Sequence, residues 1–189
     1  MATQISLEAV LGSGPPPELG AVFVDTNIVI RYENPFGFIN AAQNYRIVHS
    51  VNQLKSRYPV HAATITAVEY YKYMQVGYYN IFIQTQPGNF RKYSTALFKK
   101  MRTHHAAFAE GWQLRLKSFR KTFAKHFPPP PGNGPSGYSA SLLGEFSGKN
   151  IDFGDHLLIA AARQVPASAI LTTDKDFLST AAPIGVIHM

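Results

Sequence analysis

The residues best equipped for chemistry are acids at recurring positions. Asp25 ends the run AVFVD, Glu69 closes TAVE just after HAATI, Asp155 sits in IDFGDHLLIAAAR, and Asp174 follows AILTT with Asp176 two residues on. Asp152 adds a further carboxylate. Carboxylates gathered in one cleft repel one another, so they must take up protons or share a cation. The chain has no cysteine, so the donors are all oxygen, which suits Mg2+ and also admits Mn2+. Such ions bind phosphate oxygens and activate water for attack on a phosphodiester.

Each acid also has an ordinary structural role. Thr66 to Glu69 matches a capping box, in which Glu69 would satisfy the Thr66 backbone N–H. Asp25, Asp152 and Asp174 could be helix N-caps, with Asp155 an acid at a positive helix end. Singly, each structural role is at least as good as a catalytic one. Taken together, the structural reading weakens, because several carboxylates gathered in one cleft repel one another and must take up protons or share a cation.

The elements that must position these acids read as an α/β pattern. Apolar runs at 21–24, 169–172 and 185–188, with a weaker one at 61–65, lack polar alternation and so predict strands covered on both faces. Helical patterns fall at 41–57, 67–84, 89–125 with breaks inside it, and 153–164. The expectation is a three-layer α/β/α fold with a central parallel sheet, plus a longer helical basic insertion. In such sheets ligand sites form beyond the carboxyl ends of the strands, where Asp25, Glu69 and Asp174 fall and which Asp155 can reach from a helix start.

At 189 residues, with 46% hydrophobic and 15% charged residues, the chain suits one globular domain and is not of disordered composition. No apolar run is long enough to cross a bilayer, and the N-terminus lacks a signal-peptide pattern, so a cytoplasmic protein without membrane association is expected. Residues 1–20 read as an N-terminal extension, a short helix and a proline-rich lead-in. Residues 21–189 read as a single domain with a basic helical segment at about 89–126 and a Pro/Gly loop at 128–137.

Charge is divided unevenly. The net charge of +7 hides a segment of +9, in which Arg91, Lys92, Lys99, Lys100, Arg102, Arg115, Lys117, Arg120, Lys121 and Lys125 face only Glu110. A solvated face normally mixes signs, so these residues are expected to bind a polyanion, with RNA the leading choice. Fourteen of the 24 aromatics lie between Tyr70 and Phe127. Their near-helical spacing makes Phe98, Phe108, Trp112, Phe119 and Phe123 core or interface residues before it makes them base-stacking groups. His104 and His105 are adjacent, so on a helix they diverge, and they form no metal pair.

The segments FVDTN (23–27), TxxE ending at Glu69, DHLLIAA (155–161) and TTDKDF (172–177) together resemble the PIN-domain family, in its VapC-like branch, in order and context across residues 21–188. The resemblance implies a Mg2+-dependent endoribonuclease, the toxin of a type II toxin–antitoxin pair, often dimeric and restrained by a partner antitoxin. It assigns Asp25, Glu69, Asp155 and Asp174 as metal-binding and catalytic acids, with Asp176 an alternative fourth ligand. Thr26 or Asn27 would order the first strand end, with Thr172 and Asp152 secondary. The 86 positions from Glu69 to Asp155 exceed what a compact member needs. Two other readings stand: a non-catalytic RNA-binding or scaffold domain, and an aspartate-nucleophile phosphatase. The latter wants a second acid two residues after Asp25, where this chain has Asn27.

Overall fold

A computed structural model of the chain describes residues 3–14, 17–34, 41–86, 92–130, 152–179 and 184–189. Its centre is a five-stranded, wholly parallel sheet in the order β1-β5-β4-β2-β3, comprising β1 (Thr3–Ile5), β2 (Val22–Val24), β3 (Val60–His61), β4 (Ala169–Thr172) and β5 (Gly185–His188). The two central strands explain the absence of alternation: every residue of β2 and β4 is buried. Val22, Val24, Ala169 and Leu171 face one apolar layer, and Phe23 and Ile170 face the other. The first layer is closed by α1 (Leu7–Leu11), α2 (Thr26–Glu33) and α3 (Ala41–Lys55), through Val10, Ile28, Val29, Ile47, Val51 and Leu54. The second is closed by α7 (Phe153–Arg163), through Leu158, Ile159, Ala161 and Ala162. This is the three-layer α/β/α fold.

The N-terminal residues depart from expectation. The short helix is present as α1, capped by the Ser6 side chain. The residues before it, however, add β1 beside β5, with Thr3 opposite Gly185 and Ile5 opposite Ile187. Residues read as an extension thus contribute the sheet's edge strand. Two exposed polar residues and one half-buried Ile5 carry too little apolar signal to reveal a strand of that length.

The expected strand at 61–65 is only the pair Val60–His61, and α4 (Thr64–Gln84) begins earlier than the sequence pattern predicts. Ala63 is extended at φ −69°, ψ 160° and has no capping side chain. Thr66 instead donates its Oγ1 hydrogen to the buried carbonyl of Val24 at 3.1 Å, which ties α4 to the end of β2.

The basic segment is two helices, α5 (Thr95–His104) and α6 (Ala106–Lys121), followed by a π-helical turn at Thr122–His126. The break falls at His105, which is extended at φ −129°, ψ 101°, and whose Nδ1 accepts from Phe108 N at 3.4 Å. Of the two adjacent histidines, one is therefore a helix cap. Phe108 lies against Tyr78 and Phe82, Trp112 against Tyr71 and Tyr78, and Phe119 against Tyr70 and Tyr71. Rising numbers on α6 meet falling numbers on α4, so the two helices are antiparallel. Tyr79, Phe98, Phe108 and Trp112 form a small core of their own, so those aromatics pack as the helical spacing predicts. The chain then returns to the first apolar layer at Phe127. Of the Pro/Gly loop, 131–137 lies outside the described residues, as does Arg91. Among the described residues no helix is long and apolar enough to cross a membrane.

Candidate active site

The sheet order has a break in direction at its centre. From β2 the chain leaves through α2 and α3 to β3 on one side, whereas β4 leads to β5 on the other. The crevice between the carboxyl ends of β2 and β4 is where such sheets place ligands, and it contains Asp25 and Thr172.

Asp25 follows β2 and begins α2. Its backbone N–H donates to Leu171 O across the sheet at 3.0 Å, fixing the Cα at the strand ends. The residue is only 6% exposed. One oxygen, Oδ1, accepts from Thr26 N at 2.5 Å; the other, Oδ2, accepts from Thr172 Oγ1 at 2.8 Å and Asn27 Nδ2 at 3.4 Å. Burial raises the Asp25 pKa above the usual carboxylate range. The Thr172 and Thr26 hydrogen bonds oppose that shift, while the charges of Glu69 and Asp174 add to it. Asp25 is thus both a helix cap and a buried acid.

Thr172 is the hinge of this arrangement. While its hydroxyl donates to Asp25, the same oxygen accepts from Asp174 N at 2.9 Å. Asp174 Oδ1 in turn accepts from Asp176 N at 2.9 Å, closing the turn into a short 3-10 helix at Asp176–Ser179. Asp174 is half-buried and its charge is felt by both Asp25 and Asp155, whereas Asp176 is exposed at the outer side of the turn.

Glu69 enters from the second turn of α4. The capping-box reading fails here: Thr66 lies inside α4, with its hydroxyl committed to Val24. Glu69 instead accepts a 2.5 Å hydrogen bond from Thr26 Oγ1, across 43 positions of sequence, at Oε2. Its other oxygen rests over Gly154, where an added Cβ would stand 2.0 Å from Oε1. Gly154 is the site residue that sequence reasoning missed. Its signal was a glycine in the first turn of a helix, a position glycine does not favour.

Asp152 and Asp155 start α7 as a reciprocal capping box: Asp155 N donates to Asp152 Oδ1 at 3.0 Å, and Asp152 N to Asp155 Oδ2 at 3.3 Å. Asp152 is exposed; Asp155 is half-buried and its pKa is pushed up to about 7. Burial is the main cause, then the Asp152 charge, with Asp25 and Asp174 contributing and the Asp152 backbone hydrogen bond opposing.

Asp25, Glu69, Asp155 and Asp174 are therefore one electrostatic group drawn from four separate segments. The donors are all carboxylate oxygens, which fits a hard divalent cation. As placed, no three acidic or histidine side chains among the described residues are close enough to grip an ion: Asp155 is turned to the Asp152 backbone and Glu69 to Thr26.

The predicted cationic residues belong to a separate run of the chain. Lys92, Lys99, Lys100, Arg102, Arg115, Lys117, Arg120, Lys121 and Lys125 are all exposed on or beside α5, α6 and the π turn. No protein-family model, curated protein or solved structure matches this chain.

Proposed function

We propose that this protein is a divalent-metal-dependent endoribonuclease, as the resemblance to PIN domains of the VapC-like branch implies, with a partner antitoxin and dimerisation as further parts of that reading. The observation that carries it is the group of like-charged carboxylates at the β2/β4 crevice, where burial and mutual repulsion push Asp25 and Asp155 up. Such a group favours cation binding, because a cation removes the repulsion that protonation would otherwise relieve.

Asp25, Glu69, Asp155 and Asp174 would hold Mg2+ or Mn2+, which when bound supplies charge neutralisation and Lewis-acid activation at the phosphodiester. The protein's own part is positional. Thr172 and Thr26 fix the Asp25 carboxylate, Thr26 also restrains Glu69, and the Thr172 oxygen fixes the backbone that bears Asp174. The exposed cations of α5 and α6 supply attraction for a phosphate backbone. The phosphatase reading is less favoured, since Asn27 donates to Asp25 rather than offering a second acid.

The test is cleavage of single-stranded RNA by the full chain with Mg2+, with Mn2+ and with EDTA, beside Asp25→Asn. Metal-dependent cleavage that Asp25→Asn lowers by about 100-fold or more is expected. Equal cleavage by both proteins refutes the assignment. RNA binding without cleavage leaves the non-catalytic reading.

A further inference from the structure

A groove of about 310 Å3 runs between α4 and α6, lined among others by Glu33, Tyr70, Tyr73, Gly77 and Arg115. It adjoins the acidic site along two elements. Glu33 ends α2, whose first residue Thr26 holds Glu69. Tyr73 lies four residues beyond Glu69 on α4, ~6 Å along the helix axis.

Three features of this groove differ from the packed core beside it. The Tyr73 side chain is 44% exposed and lies near-parallel to Tyr70, with the planes 24° apart, so an aromatic face remains open. An acid and a guanidinium line the same groove, and among the described residues no ion pair joins Glu33 to Arg115. Gly77 leaves space: a Cβ built there meets no atom within 4 Å, although glycine inside a helix is unfavourable.

We propose that this groove binds one unpaired guanine of the RNA strand, stacked on Tyr73 and held at its edges by Arg115 and Glu33. A guanidinium matches the paired O6 and N7 acceptors of guanine. Its N1–H and N2–H2 donors lie side by side on the Watson–Crick edge, where a carboxylate accepts both. Uracil offers no exocyclic amine to Glu33, and adenine turns a donor toward Arg115. Bases that are unpaired can be stacked on aromatic rings and read at both edges in this way. The proposal rests on reading the neighbouring acids as an RNA-processing site, but it is measured by binding alone.

The experiment uses fluorescence anisotropy in EDTA with the full chain and four labelled single-stranded RNA octamers, uridines throughout except for G, A, C or U at one central position. The guanine probe is expected to bind at least roughly fivefold more tightly than the others. Tyr73→Ala should weaken it roughly tenfold and Tyr73→Phe should restore it. Glu33→Gln should remove the preference for guanine while keeping affinity for the uridine probe. Gly77→Leu fills the groove without meeting protein atoms at its Cβ, so it should bind guanine as weakly as Tyr73→Ala while melting no lower than the parent. Equal affinity for the four probes, or full affinity in Tyr73→Ala and Gly77→Leu, overturns the proposal. Cleavage of the same probes with Mg2+ is scored separately. Cleavage without base preference sinks the groove and keeps the nuclease. Guanine preference lost in the groove variants, without any cleavage by the parent, keeps the groove and sinks the nuclease.

Discussion

The acids at the ends of β2 and β4 and the aromatic layer of α5 and α6 are held in opposite ways. Asp25, Glu69, Asp155 and Asp174 come from four segments, and the bonds that restrain them span 43 positions between Thr26 and Glu69 and 147 between Asp25 and Thr172. Burial and like charge work against the ionised forms of Asp25 and Asp155. Phe98, Phe108 and Trp112 come from neighbouring helices, are buried in one aromatic cluster with Tyr79 of α4, and leave the lysines and arginines of the same helices in solvent. One region stores unfavourable electrostatics where a cation or substrate can relieve it; the other is apolar packing that stabilises without any ligand. Disruption of the aromatic layer should therefore register in stability, and disruption of the acids mainly in activity.

The largest loss of stability is expected from Phe108→Ala. Its ring meets Tyr78 at 4.9 Å, Phe82 at 5.0 Å and Phe98 at 5.2 Å, with no exposure to solvent. Emptying that volume should cost about 3–5 kcal/mol, measured by urea unfolding. A change below about 1 kcal/mol, against that expectation, would mean that α5 and α6 do not unfold with the rest, and the contrast would fail.

Next comes Thr172→Val, which keeps the shape and removes one hydroxyl. Asp25 loses a buried donor and Asp174 N loses its acceptor, so the expected cost is about 1–3 kcal/mol. The Asp25 carboxyl should also be harder to ionise, because the Thr172 bond is the main influence lowering its pKa. Cleavage assayed over a pH series should accordingly shift its rising limb upward; an unchanged limb would remove Thr172 from the site.

How much of this was legible depends on the range of the signal. The buried runs of β2 and β4, and hence Asp25 and Asp174 at their ends, could be read because a strand covered on both faces is apolar throughout. The capping pair Asp152 and Asp155 could be read because it is local. Three features could not. β1 is too short and too polar to signal a strand. Glu69 matched a local capping pattern, whereas its partner is Thr26, and sequence spacing says nothing about a contact of that separation. Breaks within 89–125 are expected from the sequence, but not their place: the one at His105 follows from an extended backbone and a histidine cap, neither of which interrupts helical periodicity in Phe98, Phe108 and Trp112.

The acids also predict a dependence on pH that the aromatic layer lacks. Asp155 has a folded-state pKa of about 7 against an ordinary value of 3.8, so between those limits the folded chain holds more protons than the unfolded one. Stability of the metal-free protein should then fall as pH rises through that window and level off above it, and Asp25, also raised, adds a slope of the same sign. Melting temperatures in EDTA across this range should show the decline. Asp155→Asn should flatten part of it and raise stability at the alkaline end; a variant that keeps the parent's full slope would refute the assignment.

The smallest change in stability is expected from Gly154→Ala, although it should damage activity severely. The new Cβ would stand 2.0 Å from Glu69 Oε1 and 3.2 Å from Asp152 Oδ1. Because the nearest obstacle is the end of a flexible side chain, Glu69 can swing away and the fold can persist. Alanine also favours the helix over glycine by roughly 0.5–1 kcal/mol, which offsets the displacement. A misplaced carboxylate of this kind should lower cleavage by about 100-fold with the melting temperature unchanged or slightly raised. Shortening the acid supplies the control: in Glu69→Asp the carboxylate withdraws by one methylene, so adding Gly154→Ala should cost far less activity than it does in the parent. The two substitutions should therefore be strongly non-additive in rate and nearly additive in stability. Additive losses of rate would mean that Gly154 shapes the site by some route other than its contact with Glu69.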